Sequence, residues 1–270
     1  MTDQFINIYE LTKYEGLYDI NYKNTPSDKI SLHDMVIVYN DGKNNKIYDL
    51  NFLSNNPIIY DKYYDNIMIN REMGLQEINV TITHCPISLS TIVYFGKYKL
   101  TGDVYQNNIV IQNVNGNDDE YILQLSGEVF SKKNNVKIDK KIFRVGTKIM
   151  TLRHAISHYP DSVFNVDVQN KIFDEVYTKI FDEIYIRSNI HTDINPKSII
   201  YTIEYYSGDE TITTKYSAIV HKHNNVKFDK AFDQYFAKNG SKLLEKGAFI
   251  TPCFFGTWIL FHPHTKIIII

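Results

Sequence analysis

The chain has 270 residues, is 43% hydrophobic and carries a formal net charge of −2. That content suffices for a large core in one big domain or two packed halves, and the near-neutral balance gives no broad positive field, so no nucleic-acid partner is expected. Two cysteines, Cys85 and Cys253, exclude a disulfide-dense secreted scaffold.

The first residues lack the basic stretch and apolar core of a signal peptide, and no apolar run approaches the about 18 residues of a membrane helix. The expectation is therefore a cytoplasmic protein without a membrane partner. The abundance of Tyr, Asn, Lys and Ile fits an A/T-rich coding genome, such as that of a large DNA virus of protists, so a virion component is one version of this expectation.

In chain order, residues 1–29 read as an N-terminal arm. Short runs rich in Ile, Val, Tyr and Thr follow, at 35–39, 78–84, 91–95, 108–113 and 121–125, punctuated by turns such as Asp41-Gly42 and Asn115-Gly116. That pattern predicts antiparallel strands. Five lysines in the run 131–141 are broken by Asn and Asp and read as a solvated loop. A brief helix is expected over 151–158, stopped by Pro160. Apolar residues at 172, 173, 176, 177, 180, 181, 184 and 185 have helical spacing, which makes 169–195 a linking amphipathic helix that docks on the β core. Strands return at 198–206 and 211–221. A helix is expected over 229–246, interrupted near Asn239-Gly240, and 267–270 reads as a strand end.

The fold class is thus mainly β (α+β), with antiparallel sheets forming a barrel or sandwich and few short helices. Residues 30–168 would form a first β-rich half and 196–270 a second, packed on the first. The halves echo one another: His158-Tyr159-Pro160-Asp161-Ser162-Val163-Phe164 parallels Phe261-His262-Pro263-His264-Thr265-Lys266-Ile267, and each half opens with a similar hairpin. An internal duplication is expected.

The richest motif is the strand running from Glu77 to Thr83-His84-Cys85-Pro86. Strand alternation puts Ile78, Val80, Ile82 and His84 on one face and Asn79, Thr81, Thr83 and Cys85 on the other. His84 is therefore badly placed to activate Cys85, and a Cys-His pair would need His154, His158 or His262. Pro86 ends the ladder, because proline has no N–H to donate. A buried, unreactive Cys85 is the favoured reading.

This stretch resembles a domain-of-unknown-function family of bacteria and archaea marked by Val-Thr-Tyr-Cys-Pro-Leu-Cys and a later Trp-x-Gln-x-x-Gly-Glu-Ala. The matching residues here are Val80 to Ser88 and Tyr121-Ile122-Leu123-Gln124-Leu125-Ser126-Gly127-Glu128-Val129. Asp34 to Leu50 is similar to the family's opening hairpin, and Asn195-Pro196-Lys197 and 254–265 to its later motifs. The second cysteine of the family is Ser88 here, and its tryptophan is Tyr121. The resemblance implies a divergent member with a depleted cysteine site and brings no assigned activity.

Two functions compete. The first is a noncatalytic binding or structural protein that associates with another protein or with itself. The second is a thiol-dependent enzyme, with Cys85 as nucleophile, a histidine such as His158 as base, and Gln124 or Glu128 orienting the substrate. His154 and His158 share a helix face but lack a third ligand, and Asp118-Asp119-Glu120 has the wrong spacing for calcium. No phosphate loop, dinucleotide fingerprint or nucleophile elbow is present, so neither a metal nor a cofactor is expected.

Overall fold

The computed structural model describes residues 5–8, 11, 14–69, 72–134, 136–140, 142–167, 193–207, 213–220, 234–235, 238–239 and 248–270. Most of the helix expected over 169–195 lies outside these residues, as does most of 229–246. The strands, in chain order, are β1 (Ile6–Asn7), β2 (Tyr22–Lys23), β3 (Met35–Asn40), β4 (Asn45–Asp49), β5 (Ile58–Ile69), β6 (Glu72–Cys85), β7 (Ser90–Phe95), β8 (Tyr98–Tyr105), β9 (Asn108–Asn113) and β10 (Glu120–Leu123). They continue with β11 (Val129–Ser131), β12 (Val136–Ile138), β13 (Arg144–Val145), β14 (Lys148–Thr151), β15 (Val163–Asn165), β16 (Ile199–Ser207), β17 (Thr213–Val220), β18 (Phe249–Phe254) and β19 (Lys266–Ile269). Three short helices lie wholly within the described residues: α1 (Leu50–Asn55), α2 (Leu152–His158) and α3 (Phe255–Phe261).

The fold is mainly β, with antiparallel sheets arranged in a propeller-like ring and few short helices. Two of the four sheets formed by the described residues share one plan. The order β14-β3-β4-β15 repeats as β18-β16-β17-β19. In each, an antiparallel hairpin is flanked by an antiparallel strand, and a short helix then leads to a final strand that lies parallel to the second hairpin strand.

Register repeats as well as order. Val36 faces Met150 as Ile200 faces Cys253; Val38 faces Ile47 as Thr202 faces Ala218; Ile47 faces Phe164 as Ala218 faces Ile267. The helix exits match in detail. Tyr159 and His262 occupy the same cap conformation, at φ −130°, ψ 66° and φ −134°, ψ 70°. The hydroxyls of Ser162 and Thr265 donate at 2.7 Å to the carbonyls of Tyr159 and His262. Pro160 and Pro263 follow these caps, where a residue without an N–H cannot extend the helix. The echo seen in the sequence is therefore a structural duplication.

The first unit carries an insertion. Residues 50–147 leave it after β4 and return at β14, building the sheet β13-β7-β6-β5 and, joined by β1 of the arm, the sheet β1-β8-β9-β10-β11-β12. The N-terminal arm stitches these pieces together: β1 pairs with β8, Leu17 bridges Ile59, and β2 pairs with β15. Where β14 meets the second unit the backbones nearly touch, since a Cβ on Gly146 would lie 1.8 Å from the Ile250 carbonyl oxygen. Only glycine permits that approach.

From Val80 onwards β6 is buried on both faces, as is β7 up to Tyr94. Val80, Ile82 and Val93 enter a core shared with Ile37, Tyr48, Tyr201 and Ile219, whereas Cys85, Ile92 and Tyr94 enter one shared with Ile200, Ala218, Phe255 and Trp258. The Cys-Pro hairpin thus stands where the insertion meets both duplicated units. Among the described residues, no helix is long and apolar enough to cross a membrane.

Candidate functional site

The site begins with the turn that joins β6 to β7. Cys85 pairs with Ser90, and the chain reverses through residues 86–89, with Leu89 at φ 57°. Leu89 holds this left-handed conformation despite its side chain, which anchors in the core on the Val80 side. The alternation read from the sequence holds, so His84 and Cys85 face opposite cores.

His84 is fully buried, with Nδ1 at 2.8 Å from Thr91 Oγ1 and Nε2 at 3.4 Å from Ser54 Oγ. Ser54 Oγ donates onward to the Leu50 carbonyl at 2.9 Å. A neutral imidazole protonated on Nε2 completes this relay, with the Thr91 hydroxyl donating to Nδ1. Burial pushes the His84 pKa down to about 3. The Thr91 carbonyl in turn accepts Thr147 Oγ1 at 2.8 Å and Thr251 Oγ1 at 3.1 Å, one from each side of the seam.

This burial has a consequence for acid stability. The unfolded histidine binds a proton near pH 6.5 and the folded one only near 3, so the unfolded state holds more protons between those values. Stability therefore falls as pH drops through this window. At pH 4.5 the loss attributable to His84 is on the order of 2–3 kcal/mol. Urea unfolding at pH 7 and 4.5 should show a smaller loss in His84→Gln than in the wild-type protein.

On the opposite side of the hairpin, Gln124 sits at the centre of a buried polar network. Its Nε2 donates to Thr83 Oγ1 at 3.0 Å and lies 3.3 Å from both the Thr83 and the Ser90 carbonyls. Its Oε1 accepts Ser90 Oγ at 2.7 Å and Asn108 Nδ2 at 2.9 Å. Asn108 Nδ2 also reaches Ser88 Oγ at 2.8 Å, and its Oδ1 accepts the Leu125 N–H at 2.8 Å. Even the Gln124 carbonyl is taken, by Tyr94 Oη at 2.5 Å. Every polar atom of the Gln124 amide therefore has a protein partner.

The Cys85 thiol is fully buried and points at the Asn107 carbonyl, 3.9 Å away. Burial raises its pKa, against a smaller lowering by the Ser88 side chain and neighbouring backbone N–H groups. Among the described residues, no histidine bonds it. Of the candidate residues, Gln124 alone reaches the hairpin. Glu128 pairs instead with Lys137 and lies 3.4 Å from Ser126 Oγ. His158, exposed at the end of α2, stacks on His154 at 4.1 Å, with Nδ1 at 3.2 Å from the His154 carbonyl. Among the described residues, no group of three or more His, Cys, Asp or Glu is placed to hold a metal ion.

Gly127 links the network to a buried ion pair. Its φ of 71° is left-handed, a conformation open to glycine, and a Cβ on it would sit 3.2 Å from Arg144 Nε. Arg144 donates to the Leu125 carbonyl at 2.6 Å and to Glu204 Oε2 at 2.7 Å, with its guanidinium 4.0 Å from the Phe249 ring centre. Burial raises the Glu204 pKa, while Arg144 opposes the shift.

Sequence reading missed a second cluster altogether. Lys46 Nζ lies 2.7 Å from Asp61 Oδ2 and 3.0 Å from Asp41 Oδ2, the latter an ion pair without hydrogen-bond geometry. Tyr22 Oη donates to Asp61 at 2.8 Å and meets Tyr48 Oη at 2.5 Å. The Tyr39 hydroxyl is buried and has no hydrogen-bond partner among the described residues, and burial raises the pKa of Tyr22, Tyr39 and Tyr48, with Asp61 adding to each. The available signal was the cross-strand pairing of Tyr39 with Lys46 in the first hairpin. The second unit has no such charge: at the matching positions it carries Ile203, Ser217 and Ile219 in place of Tyr39, Lys46 and Tyr48.

Comparison with known proteins finds no matching family model, no matching curated protein and no matching solved structure.

Proposed function

We propose that this chain is a noncatalytic binding or structural protein, in which the Cys-Pro hairpin is a depleted cysteine site retained as a structural keystone. The observation that carries this reading is the Cys85 thiol itself: fully buried, raised in pKa and directed at a backbone carbonyl. A nucleophilic thiol needs the opposite, a lowered pKa, solvent access and a base. Gln124 adds support, because its amide is consumed by the protein and has no donor or acceptor left to orient a substrate. Both cysteines are free and buried, which suits a reducing cytoplasm or a virion assembled in one.

Iodoacetamide applied to the native protein at neutral pH, followed by peptide mass mapping, tests the reading. Cys85 should stay unmodified until denaturant is added. The rival reading, a thiol-dependent enzyme acting through Cys85, predicts rapid modification of the folded chain.

A further inference from the structure

The duplication supplies an internal comparison that bears on partners. In the first unit the outer edge of β15 is closed, because β2 pairs with it antiparallel, Lys23 against Phe164 and Tyr22 against Asn165. In the second unit the corresponding strand is β19, with Ile267 in the place of Phe164. Among the described residues the order β18-β16-β17-β19 ends at β19, and no strand pairs with its outer edge. Phe164 is 4% exposed, whereas Ile267 is 36% and Ile269 66% exposed.

Strand geometry says which atoms face outwards. The Ile270 N–H donates to the Val220 carbonyl at 3.0 Å, so the even-numbered residues of this segment turn their backbone groups towards β17. Ile267 and Ile269 then present their N–H and C=O groups to the open side. The Ile268 and Ile270 side chains pack against the core, which leaves those of Ile267 and Ile269 together on the other face. Edge strands are ordinarily guarded by charge, proline or a bulge. After Lys266, this one carries none.

We propose that β19 is a self-association edge, and that its occupant is the β19 of a second copy of this chain, paired antiparallel about a two-fold axis through Ile268. In that register Ile267 faces Ile269 of the partner copy, so the outward backbone groups satisfy one another and the exposed isoleucines meet across the strands. Lys266 falls opposite Ile270, which brings no like charges together. Because the segment is isoleucine throughout after Lys266, it is complementary to itself, as a two-fold interface requires. The four-stranded sheet of each copy would become one continuous sheet, with main-chain bonds giving affinity as in strand addition generally. The first unit, whose equivalent edge is already filled by β2, shows that this sheet plan accepts an antiparallel strand at that position. The proposal deepens the structural reading above by naming the partner. Its test is separate: an inert Cys85 in a monomeric protein would overturn only this step.

Sedimentation equilibrium of the full chain at up to about 100 μM, where micromolar contacts saturate, provides the test. The wild-type protein should show twice the 31.6 kDa chain mass. Ile269→Pro removes an outward N–H without touching the bonds to β17 and should sediment as a monomer with an unchanged circular dichroism spectrum. Ile269→Lys, which keeps the backbone intact, should dissociate the dimer too. Under oxidation, Ile268→Cys should form a disulfide dimer, since directly opposed residues of a non-hydrogen-bonded pair lie about 4.5 Å apart. A monomeric wild type, or a dimer that survives both substitutions at 269, would overturn the proposal.

Discussion

Gln124→Ala is expected to lower the unfolding free energy by about 3–5 kcal/mol, because it removes several buried hydrogen bonds at once, each worth roughly 0.5–1.5 kcal/mol net. It takes a bond each from Ser90 Oγ, Asn108 Nδ2 and Thr83 Oγ1 in a region closed to water, leaving them their bonds to Ser88 Oγ and the Ile92 carbonyl. It also removes the volume of the amide, although the neighbours that would collapse into the gap are themselves polar. Gln124→Glu separates hydrogen bonding from volume. It keeps the shape but replaces the donating Nε2 with an acceptor facing the Thr83 and Ser90 carbonyls, so it should be destabilising as well. Urea denaturation of the two variants beside the wild type measures both effects. A loss below about 1 kcal/mol in Gln124→Ala would show that the network contributes little to holding the hairpin in place.

The second large effect belongs to the cluster around Lys46. Lys46→Met should cost about 3–5 kcal/mol, since it leaves Asp41 and Asp61 buried without their common cation. The cost arises from the uncompensated carboxylates rather than from any intrinsic strength of the pair. Adding Asp61→Asn to Lys46→Met should therefore recover part of the loss. Thermal unfolding of the single and double variants tests this, with recovery as the informative result.

How much of this was legible in the sequence depends on the range over which its causes act. The hairpin strands were legible, because β-branched runs between Gly and Asn turns are a local signal: the reading at 35–39 became β3, and 108–113 became β9. Pro160 marked the end of α2 correctly. The duplication was visible as well, since the Tyr-Pro and His-Pro helix exits impose the same local geometry twice. By contrast, α3 was not seen. Its run Phe255 to Phe261 has no polar face, because it is buried almost all round, and amphipathic spacing fails as a signal there.

The site was legible in its separations rather than in its assembly. Alternation along β6 was enough to divide His84 from Cys85. Nothing local says that Gln124, a long way on in sequence, closes over Thr83 and Ser90, or that Tyr22, Lys46 and Asp61 meet. These contacts follow from sheet order, which is fixed by long-range packing rather than by any spacing rule.

The measurement that bears most directly on the central claim is the rate of Cys85 alkylation as a function of urea. If the hairpin is a sealed structural keystone, the thiol reacts only when the chain opens. The logarithm of the rate should then rise linearly with urea, with a slope equal to the equilibrium m-value for global unfolding. Fast modification at zero urea, with a rate independent of denaturant, would mean a thiol open to solvent in the folded protein and would contradict the account.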